Sequence, residues 1–421
     1  MESYIIHGGY PLQGEVIING AKNSALGLLA ASIMSDEPSI LSNVPNVDDV
    51  NHLIEVIENI GGEIQRIDEH TIDICGGNIN PELSINYDYV KKMRASYYLL
   101  GALLGKYNIA KVALPGGCEI GSRPIDQHFK GFKALGATIK LENGIIIAEA
   151  KELKGTKIYL DIPSVGATIN LMLAAVKAKG HTQIINVAKE PHVVDVANLL
   201  ITMGAKIEGA GTDVIDIYGV DRLDGVEYSV IPDQIEAGTF MISSFMTNGL
   251  IKIKNIIPNH LQIIAYKLKE LGANISFGED FVIVDCQNIN RQPINVVTAP
   301  YPGFPTDLQP QISVACGLAN GSSFIKETIF ENRYCYVDEV SRMGANMKVS
   351  SNTLAIEGIK QYKQAIVSVP DLRAGAALVL AALNASGESI VQDIQYIKRG
   401  YENLDIKIRN LGGFIEIIKS R

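Results

Sequence analysis

A six-residue segment built around glycine recurs six times along the chain and sets the strongest limit on its fold. The copies are NIGGEI at 59, ALGATI at 134, TMGAKI at 202, ELGANI at 270, RMGANM at 342 and NLGGFI at 410, spaced 68 to 75 residues apart. Each copy ends an amphipathic stretch and precedes an alternating one. This order predicts a helix, a glycine C-cap in the left-handed region and then a strand. Such a period indicates six copies of one supersecondary unit.

A second element recurs in phase with the first. It is a segment rich in alanine, glycine and other apolar residues, and its start moves forward by 64 to 74 residues at each repeat. Segments that are apolar on nearly every side are predicted to be buried helices, and small residues let such helices pack closely. The six segments begin near Lys22, Arg94, Ser164, Asp233, Asp307 and Asp371.

The length of the chain divides the six repeats between two domains. A single hydrophobic core stops growing at roughly 250–300 residues, and this chain has 421. Three repeats per domain place the boundary near residue 230. The residues before the first repeat are expected to complete the last strand set of the second half. The predicted domains are therefore 22–231 and a discontinuous domain of 1–21 plus 232–421.

Composition and charge exclude several functional classes. A net charge of −9 argues against nucleic acid or an anionic membrane as a partner. The longest apolar runs span about ten residues, short of the ~18 that a membrane helix needs, and no secretory signal is evident, so we expect a cytoplasmic protein. Five cysteines without paired spacing argue against a disulfide framework. P-loop, dinucleotide-binding and metal-ligand motifs are absent, so we expect no cofactor and no metal. No obligate protein partner is evident from the sequence.

Polar residues gather where the predicted buried helices begin, among them Lys22, Arg94 and Arg373. Helix N-termini carry free N–H groups and partial positive charge, which makes them sites for anions. The acidic residues and Ser164 allow a second interpretation, because these residue types are also preferred N-caps. Asp371, for example, either caps its helix or orients Arg373. A cation cannot cap an N-terminus, so a negative group is expected beside each basic residue.

Ten segments spread along the chain carry a family resemblance. They are INGAKNSAL, MRAS, LPGGCEIGSRPID, SVGAT, PDQIEAGTF, FPTDLQPQ, FENRY, SRMGA, DLRAGAALV and RGYENLDIKIRNLGG, between about residues 17 and 413. In this order they resemble the UDP-N-acetylglucosamine enolpyruvyl transferases, which are EPSP synthase-like enzymes. The resemblance implies an α/β fold of two domains, an inside-out barrel in which each domain has three βαβαββ units around buried parallel helices. It also implies an enzyme of peptidoglycan synthesis and a target of fosfomycin.

The family reaction is an addition followed by an elimination. Phosphoenolpyruvate is joined to the 3′-hydroxyl of UDP-N-acetylglucosamine, and phosphate is released. By resemblance Cys118 is the general acid that protonates C3 of phosphoenolpyruvate, and it also forms a covalent adduct. An ordinary thiol, with a pKa near ~8.5, is protonated at neutral pH and able to donate. The glycines around Cys118 suit a loop that closes over the substrates. The other four cysteines lie in or beside apolar stretches and are expected to be structural.

The resemblance also implies ligands for the two substrates. Asp307 is expected to contact the 3′-hydroxyl, either as the base or as an orienting group, and it forms the catalytic set with Cys118, Lys22 and Arg399. Because cations surround it, its pKa is expected to be lowered, which weakens it as a base. The implied phosphoenolpyruvate ligands are Lys22, Asn23, Arg123 and Arg399 near the phosphate and Arg333 and Arg373 at the carboxylate. The implied ligands of the nucleotide sugar are Arg94, Arg123, Pro124, Ile125, Asp126, Gln127, Ser164, Val165, Gly166, Asp307 and Ile329.

Two other functions stay open at this point. The sister reaction transfers the enolpyruvyl group to shikimate 3-phosphate, although the cysteine loop and the SVGAT segment favour the nucleotide sugar. The other alternative is a non-catalytic paralogue that binds a nucleotide sugar and regulates a partner. The presence of Cys118, Lys22 and Asp307 argues against a non-catalytic protein.

Overall fold

The computed structural model describes residues 2–85, 97–114, 121 and 124–419. Their contacts divide into two compact units, each with a hydrophobic core of its own. The described residues of Gly20–Gly117 and Arg123–Ile231 form the N-terminal unit, and those of Met1–Asn19, Cys118–Ser122 and Pro232–Arg421 form the C-terminal unit. Helices and strands alternate through both units, so the fold is mixed α/β as the sequence predicts.

The strands are short, from three to seven residues. In chain order they are β1 Glu2–Gly8, β2 Gln13–Ile17, β3 Ser39–Ser42, β4 Glu63–Arg66, β5 Ile72–Cys75, β6 Ile109–Ala113, β7 Thr138–Glu142, β8 Ile145–Glu149, β9 Lys157–Tyr159, β10 His181–Ile185, β11 Lys206–Glu208, β12 Val214–Tyr218, β13 Glu227–Ser229, β14 Leu250–Lys254, β15 Asn274–Phe277, β16 Phe281–Asp285, β17 Asn295–Val297, β18 Ser322–Lys326, β19 Asn346–Ser350, β20 Thr353–Glu357, β21 Ile366–Ser368, β22 Gly387–Gln392 and β23 Phe414–Lys419.

The helices fall into two alternating kinds, and 3₁₀ turns lie at Pro258–Leu261 and Thr306–Leu308. The helices are α1 Lys22–Ser32, α2 Asp48–Asn59, α3 Tyr98–Tyr107, α4 Asp126–Ala134, α5 Val165–Ala175, α6 Pro191–Thr202, α7 Gln234–Thr247, α8 Gln262–Glu270, α9 Gln309–Cys316, α10 Val337–Arg342, α11 Leu372–Asn384, α12 Gln395–Lys398 and α13 Leu404–Asn410. Nearly every described residue of α1, α3, α5, α7, α9 and α11 is buried, which confirms the prediction of six buried helices.

The sheets share one pairing pattern. The N-terminal unit has the orders β13-β3-β5-β4, β11-β12-β10-β9 and β6-β8-β7, and the C-terminal unit has β21-β22-β1-β23, β15-β16-β14-β2 and β17-β18-β20-β19. In each four-stranded sheet one edge strand pairs in parallel and the other pairs are antiparallel. In the three-stranded sheet Ile85 bridges Val112 in parallel, where the other sheets have that edge strand.

The repeated glycines end helices as predicted. Gly61, Gly136, Gly204, Gly272, Gly344 and Gly412 have φ angles between +86° and +110°. Residues with a Cβ are disfavoured in this region, so glycine lets the chain leave each helix and turn into the next strand.

Small residues bring the buried helices close together. A Cβ added to Gly101 of α3 would lie 2.4 Å from the carbonyl oxygen of Asn170 on α5. The backbone N–H of Gly101 donates to the Asn170 side chain at 2.8 Å. None of the helices that the structure describes combines the length and the apolar character needed to cross a membrane.

The first two strands belong to the C-terminal unit. β1 pairs antiparallel with β22 and β23, and β2 pairs parallel with β14. Just after β2, the backbone N–H of Asn19 donates to Glu236 at 3.0 Å, and Lys407 forms an ion pair with the same carboxylate at 2.6 Å. A buried charge pair therefore fixes the point where the chain leaves this unit.

Candidate active site

Asp307 joins two buried arginines in the C-terminal unit. Its Oδ1 lies 3.2 Å from Arg333 Nη2, and its Oδ2 lies 2.9 Å from Arg373 Nη2. The two arginines are 2% and 4% exposed, so water contributes little to their solvation. One carboxylate thus bridges two guanidinium groups, one through each oxygen, and three predicted site residues lie together.

Local structure holds Asp307 against Arg333. Asp307 lies in the 3₁₀ turn that leads into α9. Arg333 Nε donates to the carbonyl oxygen of Thr306 at 3.2 Å, so its guanidinium contacts both the backbone and a side chain of this turn. The buried carboxylate of Glu327 accepts from Thr306 Oγ1 at 3.1 Å and from the Ile329 N–H at 2.8 Å. The predicted ligand Ile329 is thereby tied to the turn that carries Asp307.

Asp371 caps helix α11, which is one of the two roles considered from the sequence. Its Oδ1 accepts from the backbone N–H groups of Arg373 at 2.8 Å and Ala374 at 3.2 Å. Arg333 Nη1 lies 3.9 Å from the same oxygen. Cys335 Sγ donates to Asp371 Oδ2 at 3.2 Å, so a cysteine expected to be structural contacts the charged cluster. Asp371 fixes the start of α11 and adds a second negative charge beside the arginines.

Arg373 has hydrogen-bonding capacity left over. Burial acts to lower its pKa, but the negative charge of Asp307 and smaller contributions from Tyr401 and Asp233 outweigh burial and hold the pKa above its usual value. Its Nη1 is buried and has no hydrogen-bond partner among the described residues. A buried donor of a charged group is costly to leave unpaired. This nitrogen is therefore a candidate donor to an anionic ligand.

Lys22 begins helix α1 in the N-terminal unit and pairs with Asp49. Its Nζ lies 3.1 Å from Asp49 Oδ2, and the two side chains are 10% and 7% exposed. Asp49 lies in the first turn of α2, where a negative charge is also favoured by the helix dipole. Asp49 is the negative group expected beside this cation. Asn23 follows Lys22 in α1 and is half-buried.

A second carboxylate, Asp195, holds the same helix start. It accepts hydrogen bonds from the Ser24 hydroxyl, from the Tyr228 hydroxyl at 2.7 Å and from the Ile231 N–H at 3.4 Å. Asp195 is 1% exposed. Burial raises its pKa, and the hydrogen bonds offset this effect only in part. Asp195 therefore anchors α1 immediately after Lys22.

The predicted ligands Ser164, Val165 and Gly166 lie at the start of α5. Ser164 caps the helix, and its Oγ accepts from the Ala167 N–H at 3.3 Å. Val165 and Gly166 form the first turn. A Cβ added to Gly166 would lie 3.0 Å from His128 Nε2, so glycine permits the close approach of α4.

The predicted segment from Pro124 to Gln127 leads into α4. Pro124 and Ile125 precede the helix, and Asp126 and Gln127 are in its first turn. The buried Gln127 donates to Asp161 Oδ2 at 3.0 Å and accepts from the Asp161 N–H at 2.9 Å. These two bonds connect the start of α4 to the segment just before α5.

The structure describes the remaining predicted site residues only in part. Cys118, Arg94 and Arg123 lie outside the described residues. Arg399 is half-buried at the C-terminal end of α12 in the C-terminal unit.

The sequence analysis missed Asp49, Asp195 and Glu327. Asp49 gave no distinct signal, because acidic residues are common in the first turn of any helix. Glu327 did give one. Along β18 the buried positions alternate through Ser323 and Ile325, and Glu327 is the next position on that buried face. A carboxylate at such a position needs buried partners.

Comparison with known proteins gives full-length matches. The family model described as EPSP synthase (3-phosphoshikimate 1-carboxyvinyltransferase) matches residues 6–408. UDP-N-acetylglucosamine 1-carboxyvinyltransferase 2 of Clostridium acetobutylicum is 50% identical over 99% of both chains. UDP-N-acetylglucosamine 1-carboxyvinyltransferase 3 of Caldanaerobacter subterraneus is 48% identical over 100% of both chains.

Solved structures show the same fold at lower identity. The enolpyruvyl transferase NikO from Streptomyces tendae has a TM-score of 0.89 at 23% identity and covers 100% of this chain and 99% of its own. EPSP synthase from Acinetobacter baumannii has a TM-score of 0.77 at 17% identity and covers 100% of both chains. The chain therefore belongs to the EPSP synthase family of enolpyruvyl transferases, in which its full-length relatives carry the name UDP-N-acetylglucosamine 1-carboxyvinyltransferase.

Proposed function

We propose that the chain transfers the enolpyruvyl group of phosphoenolpyruvate to the 3′-hydroxyl of UDP-N-acetylglucosamine and releases phosphate, as a cytoplasmic step of peptidoglycan synthesis. Relatives with 48% and 50% identity over the full length carry the corresponding name. The structural observation that carries the proposal is the arginine pair on Asp307. The planar forks of Arg333 and Arg373 suit a carboxylate such as that of phosphoenolpyruvate, and Arg373 Nη1 has a donor to offer.

In the proposed reaction the Cys118 thiol gives its proton to C3 of phosphoenolpyruvate while the 3′-oxygen bonds to C2. The 3′-hydroxyl proton passes to a base. The tetrahedral intermediate then loses a proton from C3 to the thiolate, the bond between C2 and the phosphate oxygen breaks, and phosphate leaves. Lys22, Asn23, Arg123 and Arg399 are proposed to hold the phosphate, where positive charge stabilises the leaving group.

Asp307 is proposed to orient the 3′-hydroxyl. Each of its oxygens faces a guanidinium, which stabilises the negative form and weakens it as a base. A substrate carboxylate that binds Arg333 and Arg373 competes with Asp307 for the same donors. An oxygen of Asp307 is then free to accept from the sugar hydroxyl. In this account binding of the substrate carboxylate makes an oxygen of Asp307 available to the sugar hydroxyl.

We propose that each domain is an inside-out barrel of three βαβαββ repeats, with boundaries at 22–231 and at 1–21 plus 232–421. Three sheets with one pairing pattern in each unit support this organisation, as does the pairing of β1 and β2 within the C-terminal unit. The nucleotide sugar is assigned to Arg94, Arg123–Gln127, Ser164–Gly166, Asp307 and Ile329. Hydrogen bonds that order the starts of α4 and α5 support the part of this assignment that is described.

Phosphate release with different acceptors tests the proposed reaction. The protein is supplied with phosphoenolpyruvate and either UDP-N-acetylglucosamine or shikimate 3-phosphate. We expect phosphate release with the nucleotide sugar alone. Turnover of shikimate 3-phosphate would assign the chain to the sister reaction instead.

The catalytic role of Cys118 separates an enzyme from a non-catalytic paralogue. Cys118→Ala is expected to lose nearly all phosphate release, and Cys118→Asp to keep part of it because a carboxylic acid can still donate a proton. Fosfomycin in the presence of the nucleotide sugar is expected to add its mass to Cys118. An unmodified Cys118, together with no phosphate release by the wild type, would favour a non-catalytic role.

Arg373→Lys tests the carboxylate site, because lysine keeps the charge and loses the planar fork. We expect the KM for phosphoenolpyruvate to rise by about tenfold or more, corresponding to about 1.4 kcal/mol. Arg291→Lys is a matched control in the same unit, where the guanidinium donates to the Phe245 carbonyl at 2.8 Å and lies over the Phe245 ring. An equal rise in both variants would contradict the assignment.

A further inference from the structure

A chain of hydrogen bonds runs through the interior of the C-terminal unit beside the charged cluster. Gln311 Nε2 lies 3.2 Å from the Tyr401 hydroxyl oxygen, which lies 2.8 Å from Thr239 Oγ1. Thr239 Oγ1 donates to the carbonyl oxygen of Ile235 at 2.8 Å. The side chains of Gln311, Tyr401 and Thr239 belong to residues that are at most 3% exposed, so the three groups depend on one another for hydrogen bonds.

The two ends of the chain set its direction, because both are carbonyl oxygens that only accept. Thr239 gives its proton to Ile235, so its oxygen accepts from the Tyr401 hydroxyl. The Tyr401 oxygen in turn accepts one N–H of Gln311, and Gln311 Nε2 also donates to the Asp307 carbonyl at 3.1 Å. Burial raises the pKa of Tyr401, which keeps the phenol protonated and able to donate. Each proton of the chain therefore has a defined acceptor.

This chain reaches two residues of the proposed carboxylate site. Gln311 holds the backbone of Asp307. The Tyr401 ring faces Arg373, with the guanidinium carbon 5.6 Å from the ring centroid, which is within the range of a cation–π interaction. Burial makes this interaction stronger than it is at an exposed site. A buried ring anchored at its hydroxyl thus supports the guanidinium that pairs with Asp307.

We propose that Tyr401, fixed by Thr239 and Gln311, is a positioning residue for Arg373 in phosphoenolpyruvate binding. The inference rests on the proposed role of Arg373 at the substrate carboxylate. A planar guanidinium binds a carboxylate well only when its fork is aimed at it, and a small displacement costs much of the benefit. Arg373 holds the carboxylate before and during the reaction, so loss of its support raises KM more than it lowers kcat.

Two substitutions at Tyr401 separate the ring from the hydroxyl. Tyr401→Leu removes the aromatic face, and we expect the KM for phosphoenolpyruvate to rise about tenfold with kcat changed less than about threefold. Tyr401→Phe keeps the face. The freed Gln311 N–H can then turn to Thr239 Oγ1, which is already 3.5 Å away. We expect this variant to raise the KM for phosphoenolpyruvate by about threefold, less than Tyr401→Leu, because phenylalanine keeps the cation–π contact but loses the anchor at the hydroxyl.

Two threonines of α7 provide a matched pair of controls. Thr239→Val leaves the Tyr401 hydroxyl without its acceptor. Thr247→Val makes the same change in a threonine that donates to the Ser243 carbonyl at 2.8 Å and accepts from the Leu12 N–H at 3.2 Å. Both variants are expected to lower the melting temperature, since each leaves a buried partner unpaired. We expect Thr239→Val alone to raise the KM for phosphoenolpyruvate, by about threefold.

Phosphate release and melting temperature are measured for all four variants, with and without phosphoenolpyruvate in the presence of UDP-N-acetylglucosamine. The inference is overturned if Tyr401→Leu keeps the wild-type KM, if Tyr401→Phe loses as much as Tyr401→Leu, or if Thr247→Val raises KM as much as Thr239→Val. If Tyr401→Leu does not fold, the other three variants decide. An unchanged KM for phosphoenolpyruvate in both Tyr401→Phe and Thr239→Val would then overturn the inference. An inactive wild-type protein would instead reject the proposed function.

Discussion

Asp195 in the N-terminal unit and Asp307 in the C-terminal unit are stabilised in different ways. Asp195 is 1% exposed and is held by two hydroxyl groups and a backbone N–H. Its pKa is raised because burial outweighs these neutral donors. The Asp307 side chain is 28% exposed and faces a guanidinium through each oxygen. Neutral donors are thus enough to anchor a helix, whereas the carboxylate among the predicted catalytic residues is balanced by charge.

The contrast separates two kinds of substitution. Changing Asp195 should alter stability and its dependence on pH, because Asp195 acts on the start of α1. Changing Asp307 should act mainly on catalysis, because its partners are proposed substrate ligands. Asp49 is an intermediate case, because it forms an ion pair with one cation, Lys22.

The largest effect is expected for Asp307→Asn. The amide keeps the shape of the side chain but cannot neutralise Arg333 and Arg373 or orient the 3′-hydroxyl as a charged group. We expect kcat to fall by about 10²–10⁴-fold, measured by phosphate release. The control is Asp280→Asn at an exposed position of the same unit. A kcat within about threefold of the wild type would remove the distinction between Asp307 and Asp195.

A smaller effect is expected for Asp49→Asn, which removes the negative charge that lies 3.1 Å from the buried Lys22. Removing one partner of a buried ion pair costs about 3 kcal/mol of unfolding free energy, and urea unfolding measures it. The KM for phosphoenolpyruvate should also rise, because Lys22 is a proposed phosphate ligand. Asp48→Asn is the control, since Asp48 is the exposed neighbour in the same helical turn. Equal effects of the two variants would show that the pair with Lys22 contributes little.

Asp195→Asn should change the pH dependence of stability. The folded protein holds the Asp195 proton above the ordinary pKa of 3.8. Between that value and the raised pKa the folded state binds more protons than the unfolded state, so stability falls as pH rises through this window. Asparagine does not titrate. The variant should therefore lack this part of the decrease in unfolding free energy, which urea unfolding measures from about pH 4 upward. Parallel curves for wild type and variant would show that the pKa of Asp195 is not raised.

The smallest effect is expected at the helix caps. Ser164→Ala removes a neutral cap and should cost about 1 kcal/mol, or about 2–4 °C in melting temperature for a unit of this size. Asp371→Ala removes a charged cap that also lies 3.9 Å from Arg333, and it should cost about 2 kcal/mol. Equal losses of stability in Ser164→Ala and Asp371→Ala would show that the charge of the Asp371 cap adds no stability.

Features that depend on neighbouring residues were predictable from the sequence. The left-handed glycines and the caps at Ser164, Asp233 and Asp371 follow from the chemistry of single turns. The six buried helices follow from the lack of a polar face over ten or so residues. Each of these is decided within one or two turns of chain, so residue type alone carries the information.

Contacts between distant residues were not predictable in this way. The pair of Lys22 with Asp49 spans 27 residues, and the bond of Ser24 with Asp195 spans 171. The sequence indicated that Lys22 needs a negative partner but not which of many acidic residues supplies it. The sequence analysis expected cations around Asp307, but not that Arg333 and Arg373 would each pair with one of its oxygens. That arrangement depends on tertiary packing of α11 against α9.

The position of β1 has a consequence for synthesis on the ribosome. β1 is made long before its partners β22 and β23, which begin at Gly387 and Phe414. The described strands of the N-terminal unit all lie between Ser39 and Ser229. This unit can therefore complete its sheets before the partner strands of β1 have been made. An unpaired strand edge promotes association between chains. A nascent chain stalled before residue 387 should therefore present a folded N-terminal unit preceded by a strand that is open to misassembly.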